Sequence, residues 1–329
     1  MLYISDKSTD PYFNLAEEEF LLKNMKEDIF RLWRNSPSII VGRYQNTIAE
    51  IDSEYTRSHS IPVVRRLSGG GAVFHDLGNL NFTFIQNAKG KEDTTELFRR
   101  FTRPIIDALK SLGVNAELQG RNDLAIDGKK FSGNAICIHK DRVLMHGTLM
   151  FSVSTSDLGK ALKPRPEKFI GKAVKSNVKR VTNIGEHLKD KNKNILWFKD
   201  FLGEFICSHL EGITPYSFTE KQLQKIEELK AIRYSTDEWN FGKSPRYSFS
   251  ASKRFPKGIV ELYLNAENGI IKDLDIKGDY FFTRPTEEFI KKLIGTPHTR
   301  TDIVKKIGTL DLGAYFAGIS SEDIVSLFF

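Results

Sequence analysis

The stretch Arg65 to Asn79, RRLSGGGAVFHDLGN, constrains this 329-residue chain more than any other. Three consecutive glycines, Gly69, Gly70 and Gly71, let the backbone reach positive φ and place no Cβ in the way of a ligand lying along the main chain. One apolar run, Ile61 to Val64, leads in and another, Leu80 to Ile85, leads out, so the spacing predicts a turn tethered between two strands. Exposed amides beside two guanidinium groups suit an anion, because both prefer phosphate or carboxylate oxygens. The pattern is neither G-x-x-x-x-G-K-[ST] nor G-x-G-x-x-G opening a helix. Glycines alone are equally compatible with a tight connection; Arg65 and Arg66 before them, and His75-Asp76 after, point to a site.

Charge bears on what that site meets. The net charge is +7, and between Lys160 and Arg180 eight basic residues face one acid, Glu167, an excess equal to the whole net charge. A single basic segment implies a local anionic partner, a nucleotide or an acidic protein surface, or else a solvated loop; it does not imply a duplex-tracking face. A single aromatic residue, Phe169, lies among those lysines, short of the interleaved aromatics that a single-strand binder requires, so nucleic acid is not expected. Two cysteines, Cys137 and Cys207, exclude a disulfide framework, and neither lies in C-x-x-C. The sequence carries no signal-peptide pattern and no apolar run approaching the ~20 residues that span a bilayer, so a cytoplasmic protein without membrane association is expected.

Along the chain, strands separated by turns dominate the first 155 residues without a βαβ rhythm, which predicts an α+β fold on a mixed sheet. Asp10 to Asn24 reads as an amphipathic first helix with Phe13, Ala16, Phe20 and Leu21 on one face, started by Asp10-Pro11. Ile29 to Trp33 and Ser38 to Val41 read as two strands around Asn35-Ser36-Pro37, and Glu50 to Ser60 as a short helix. Asp93 to Leu112 is a longer helix, stopped by Gly113. Asp127-Gly128 between alternating runs signals a hairpin that brings Asn122 and Asp123 near Lys130; Val143 to Val153 follows as a strand. Helices fit Ile195 to His209 and Thr219 to Ile232. A boundary near Lys243-Ser244-Pro245 divides residues 1–244 from a smaller α+β domain, 245–329, with three strands followed by three helices. No exposed apolar face is marked, so a monomer is expected.

Lys130 is the principal catalytic candidate. It stands just past the hairpin turn, and the small residues Ser132, Gly133, Asn134 and Ala135 leave room for a ligand where a core strand would carry bulk. An ammonium there would neutralise charge developing on phosphate or carbonyl oxygens. Asp123 is either a magnesium ligand or an ordinary strand-end aspartate. Arg34 and Arg43 read as solvating strand-end arginines. His75, His139 and His146 lack metal-ligand spacing and, Asp76 apart, an acidic partner, which reads as hydrogen-bonded structural histidine.

These motifs resemble the two-domain lipoate-protein ligases. The resemblance is carried by RRLSGGGAVFHDLGN at 65–79, GRNDL at 120–124 with KFSGNA at 130–135, HGTL at 146–149 and KRVTN at 179–183, and extends through DPYFNLAEEE at 10–19 and WNFG at 239–242. It implies a biotin/lipoate ligase-like catalytic domain with a C-terminal accessory domain. It also implies activation of lipoate (or octanoate) by ATP with Mg²⁺, and transfer of the acyl group to a lysine of acidic lipoyl domains in 2-oxoacid dehydrogenase subunits and the glycine cleavage H protein. By residue, it implies ATP contacts from Arg66, Gly71, Ala72, Val73, Phe74 and Lys130, and lipoate contacts from Ser68, Gly69, Gly70 and Lys130. It further implies an adenylate-covering loop at Lys168 to Asn183 and a small domain that swings between steps. An acyl transferase of the same superfamily would instead need a reactive cysteine and no ATP, which makes Cys137 the discriminating residue; a biotin ligase would write its glycine loop differently.

Overall fold

Runs of β-branched and aromatic residues between turn residues form the strands, as their spacing requires. A computed structural model describes residues 1–5, 7–45, 47–88, 93–154, 162, 181–241, 249–267 and 270–329. The basic cluster of Lys160 to Arg180, most of the loop expected to cover the adenylate, and the boundary at 243–245 lie outside the described residues.

The largest sheet is mixed and has eight strands: β1 (Leu2–Ser5), β2 (Ile29–Trp33), β6 (Asn79–Asn87), β7 (Ala116–Gln119), β8 (Asp123–Ile126), β9 (Lys129–His139), β10 (Arg142–Met150) and β11 (Thr214–Pro215). Their order is β11-β1-β2-β6-β10-β9-β8-β7, parallel at the β11-β1-β2 end and antiparallel beyond it. A second sheet joins β4 (Val63–Arg65), β3 (Ser38–Val41) and β5 (Val73–His75). The C-terminal part has an antiparallel sheet of β12 (Phe249–Phe255), β13 (Gly258–Glu267) and β14 (Ile270–Gly278), with helices at Thr286–Leu293, Arg300–Gly308 and Ser321–Val325. The expected mixed-sheet α+β architecture with a C-terminal α+β portion is therefore present.

β2 and β3 form on either side of Asn35-Ser36-Pro37 as expected, and they enter different sheets. Two local readings need correction. The segment 50–60 holds its helix only at Ser53–Ser58, with a separate turn of helix at Thr47–Glu50. Helix α1 (Pro11–Asn24) starts as its cap dictates, Asp10 accepting from the Tyr12 N–H at 2.9 Å with Pro11 in the first turn, yet it is not amphipathic. Asn14, Glu17, Glu18 and Glu19 are all buried, because α1 is wedged between β10 and the segment formed by the helix Glu220–Leu229 and the turn Lys230–Tyr234. Buried carboxylates need partners: Glu17 pairs with Arg31 at 2.7 Å and Glu19 with Lys23 at 2.6 Å, while the Tyr234 hydroxyl donates to Glu19 at 2.8 Å.

One apolar cluster packs the helices Thr94–Ser111 and Ile195–His209 against the large sheet, and another belongs to the C-terminal part with Tyr44 inserted into it. Among the described residues no helix is long and apolar enough to cross a membrane.

Candidate active site

The hairpin carrying Lys130 forms as its turn chemistry demands. Asp127 and Gly128 take φ of 51° and 72°, the left-handed values a two-residue hairpin turn uses. Ala125 and Ile126 pair with Lys130 and Lys129, and the Lys130 ammonium comes to rest 2.7 Å from Asp123 Oδ1. The expected proximity of Asp123 and Lys130 is thus an ion pair, its side chains 36% and 41% exposed. Gly133 makes the position possible, since a Cβ there would stand 3.0 Å from the Lys130 Nζ.

The register converts this hairpin into one end of a groove. Trp33 on β2 pairs with Asn81 on β6, Asn81 with Thr148 on β10, and the Thr148 hydroxyl accepts from the Gly133 N–H of β9 at 3.1 Å. Directly opposed residues share a face of the sheet, and neighbouring strands lie ~4.8 Å apart. The Lys130 ammonium over Gly133 therefore lies three strand spacings, roughly 14 Å, from Trp33. Trp33, Asn81, Thr148, Gly133 and Lys130 line a cleft with about 660 Å³ of free space, part of it open to solvent. Its opposite wall is the small sheet and the glycine-rich turn, with Ile40, Gly70, Gly71, Ala72 and Val73.

That turn is not free. Arg66 donates from Nε to Ser68 Oγ (3.0 Å), from Nη1 to the Ile40 carbonyl (3.2 Å) and from Nη2 to the carbonyls of Gly69 (2.7 Å) and Gly71 (2.9 Å). Arg65 is more fully engaged, with Nη1 on the carbonyls of Gly42, Arg43 and Gln45, Nη2 on Thr47 Oγ1 and the Asn240 carbonyl, and Nε on the Trp239 carbonyl. Burial pulls both guanidinium pKa values down to about 10, which leaves them charged at neutral pH. The expectation that both arginines stand ready as anion forks is corrected for Arg65, whose donors hold the carbonyls of Gly42, Arg43, Gln45, Trp239 and Asn240 and the Thr47 hydroxyl; Arg66 holds carbonyls of the glycine turn itself while also lining the cleft. Gly42 and Gly70 touch through backbone alone, since a Cβ on Gly42 would stand 2.0 Å from the Gly70 carbonyl oxygen.

The remaining expected residues fall on different sides of this wall. Ser68 is fully buried and its hydroxyl shares a 2.6 Å hydrogen bond with His146 Nε2. The Phe74 side chain turns away from the cleft into a cluster with Ile39, Val41, Ile51 and Val63. Gly69 faces the C-terminal part, where a Cβ would meet the Tyr280 carbonyl oxygen at 2.4 Å. Asp76 serves the backbone, accepting from Gly78 and Ser154 N–H groups at 2.8 Å each. Arg43 is not a solvating strand-end residue, because it stacks 4.4 Å from the Trp239 ring and pairs with Glu287 at 3.0 Å. Beside it Tyr44 stacks on Tyr280 with centroids 5.6 Å apart.

Sequence reasoning missed Glu18. His146 Nδ1 donates to Glu18 Oε2 at 2.9 Å, Thr83 Oγ1 donates to Oε1 at 2.6 Å, and Trp33 Nε1 donates to Thr83 Oγ1 at 2.9 Å. Burial alone would raise the Glu18 pKa, but the charge and hydrogen bond of His146, with Arg31 and Thr83, hold it below the ordinary glutamate value. Glu18 and His146 stand 128 positions apart, and no spacing announces the pair.

Cys137 is absent from the cleft lining, is buried beside α1, and has its thiol pushed up to about 12 by that burial. A thioester-forming cysteine needs exposure and a lowered pKa, so the transferase alternative has no nucleophile here. Among the described residues no group of three or more His, Cys, Asp or Glu could hold a metal.

The cleft is a long groove, part apolar and part polar, that ends at Lys130 and runs beside the glycine-rich turn. The chain belongs to the lipoate-protein ligase family: residues 10–206 match the lipoyl protein ligase A/B catalytic domain, and residues 244–328 match the bacterial lipoate protein ligase C-terminus. It is 41% identical to the lipoate-protein ligase LplJ of Bacillus subtilis over 333 aligned residues, covering 100% of both chains. Among solved structures it is similar to LipL1 of P. falciparum in complex with lipoate (28% identity, TM-score 0.77, 94% of each chain). It is also similar to lipoate-protein ligase A bound with ATP (28% identity, TM-score 0.63, 73% of this chain and 98% of that one).

Proposed function

We propose that this chain adenylates lipoate with ATP and then passes the lipoyl group to a lysine of an acceptor domain. The observation that carries the reading is the groove itself, roughly 14 Å of strand-crossing cleft from Trp33 to the Lys130 ammonium over Gly133. An extended eight-carbon acid lying in it presents its carboxylate to Lys130. A carboxylate is a poor electrophile, so one of its oxygens attacks the α-phosphorus of ATP, the bond to pyrophosphate breaks, and acyl-AMP results. An acceptor amine then attacks the acyl carbon and AMP leaves.

In this reading Lys130 is the catalytic residue, its ammonium released from Asp123 to neutralise the carboxylate and then the phosphate oxygens. Gly71, Ala72 and Val73 cradle the nucleotide along the cleft wall, with Phe74 contributing backbone only. Arg66 shapes that cradle and adds its charge. Ser68, Gly69 and Gly70 form the lipoate side of the turn. Asp123 offers one carboxylate to a magnesium ion carried in by the phosphates, which fits an ion that takes one or two carboxylates plus substrate oxygens; the ion would supply further neutralisation of phosphate charge. The acceptors are acidic lipoyl domains of 2-oxoacid dehydrogenases and the glycine cleavage system, drawn by the basic residues of 160–180, and the enzyme acts as a cytoplasmic monomer.

Incubation with ATP, lipoate and a purified lipoyl domain should raise the intact mass of that domain by one lipoyl group, and omission of ATP should abolish the gain. A gain without ATP that disappears in Cys137→Ser would overturn the reading in favour of a transferase.

A further inference from the structure

The end of the groove remote from Lys130 holds two buried donors that the ligation chemistry leaves unexplained. His75 and Asn81 are 3% and 1% exposed and both line the cleft. Both belong to the Trp33 end: Asn81 is the cross-strand partner of Trp33, and the His75 ring stands edge-on to the Trp33 ring with centroids 6.3 Å apart. His75 Nε2 and Asn81 Nδ2 have no hydrogen-bond partner among the described residues.

Which kind of atom His75 presents can be traced from a group with only one option. Arg31 can only donate, and its Nη2 meets Asn14 Oδ1 at 3.1 Å. That fixes the Asn14 amide, whose Nδ2 donates to Asn35 Oδ1 at 2.8 Å. The Asn35 amide is fixed in turn, so its Nδ2 faces His75 Nδ1 at 3.1 Å, and Nδ1 must accept. The ring is neutral, since burial, with the nearby positive charges of Arg66 and His146, drops its pKa to about 3. A neutral imidazole that accepts at Nδ1 carries its proton on Nε2. On the other strand, Asn81 Oδ1 is occupied by the Asn79 amide at 2.8 Å, which leaves Nδ2 as a donor. An apolar pocket end for a hydrocarbon chain needs neither group, and each unmatched donor disfavours a ligand with nothing to offer it.

We propose that His75 Nε2–H and Asn81 Nδ2–H are specificity-determining donors that read acceptor lone pairs at the distal end of the acyl chain. They select a chain terminating in a cyclic disulfide over a saturated chain of the same length. This rests on the acyl-ligase reading and goes beyond it by stating what the far end of the substrate must carry. Sulfur is a weak acceptor, but a buried donor without a partner makes the alternative worse, which is how sites reject analogues that lack a single acceptor.

The test measures equilibrium binding of lipoate and of octanoate by calorimetry in the wild type, Asn81→Leu and His75→Phe, with acid-dependent ATP–pyrophosphate exchange run alongside. Wild type should bind lipoate at least about tenfold more tightly than octanoate, and each variant should lose most of that ratio through weaker lipoate binding, with octanoate binding unchanged or improved. Parallel loss for both acids, or an unchanged ratio, would overturn the inference and assign the pair a structural role. Nitrogen-15 histidine spectra of the wild type provide an arm that needs no variant: the His75 Nε2–H signal should shift with lipoate and stay with octanoate, and equal shifts would count against the proposal. Absence of exchange with either acid would contradict adenylation, while the binding ratio would still decide the role of the donors.

Discussion

The glycine-rich turn and the β8-β9 hairpin line or flank the same cleft and are built on opposite plans. The turn is buried, and the two arginines before it spend their donors on its own carbonyls and those of Gly42 to Gln45. The hairpin tip is half exposed, and its Lys130 is held through one ion pair to Asp123. A wall that must keep its shape while substrates come and go is locked from behind. In the proposed reaction Lys130 follows charge from carboxylate to phosphate, and its contact with Asp123 is one it can release at small cost, since an exposed pair contributes about 0–1 kcal/mol.

Equivalent substitutions on the two sides should therefore have unequal effects. Gly42→Ala forces a methyl onto the Gly70 carbonyl, backbone against backbone at 2.0 Å. It should cost about 3 kcal/mol or more, read as a lowered urea midpoint together with lost activity. Arg65→Lys keeps the charge but cannot reach the six oxygens that the guanidinium holds, leaving buried carbonyls unpaired. A loss of about 2–3 kcal/mol in the same assay is expected.

Acid sharpens the contrast, because the wall contains the neutral His75. The unfolded chain protonates this residue as pH falls below about 6.5, whereas the folded chain resists until about 3. Its contribution is whole above pH 6.5 and is lost progressively on the way down to pH 3. At pH 5 the loss is about 2 kcal/mol, and His75→Phe should flatten that part of a stability-against-pH curve. Gly133→Ala, on the hairpin side, meets only the flexible end of Lys130 at 3.0 Å. Its stability should change by less than about 1 kcal/mol, while turnover falls because the ammonium is pushed aside.

What was legible in the sequence follows the same division. The hairpin could be read because Asp127-Gly128 and strand alternation are local signals, and they placed Lys130 beside Asp123 before any coordinates. The glycine turn was legible as a site but not as a structure. That Arg65 braces Asn240 and that β5 completes a separate small sheet depend on contacts between residues up to 175 positions apart. Glu18 was hidden for a different reason: the amphipathic reading of the first helix named only Phe13, Ala16, Phe20 and Leu21 as one face, and the burial of Glu18 follows from packing against β10 and the segment 220–234.

The most direct test of the central claim is lipoate-dependent ATP–pyrophosphate exchange in the wild type and in Lys130→Ala, with urea midpoints measured in parallel. Exchange that requires lipoate and falls at least about 100-fold in the variant, at an unchanged midpoint, is the expected result. Undiminished exchange in Lys130→Ala, or none in the wild type, would contradict the assignment of this cleft to adenylation.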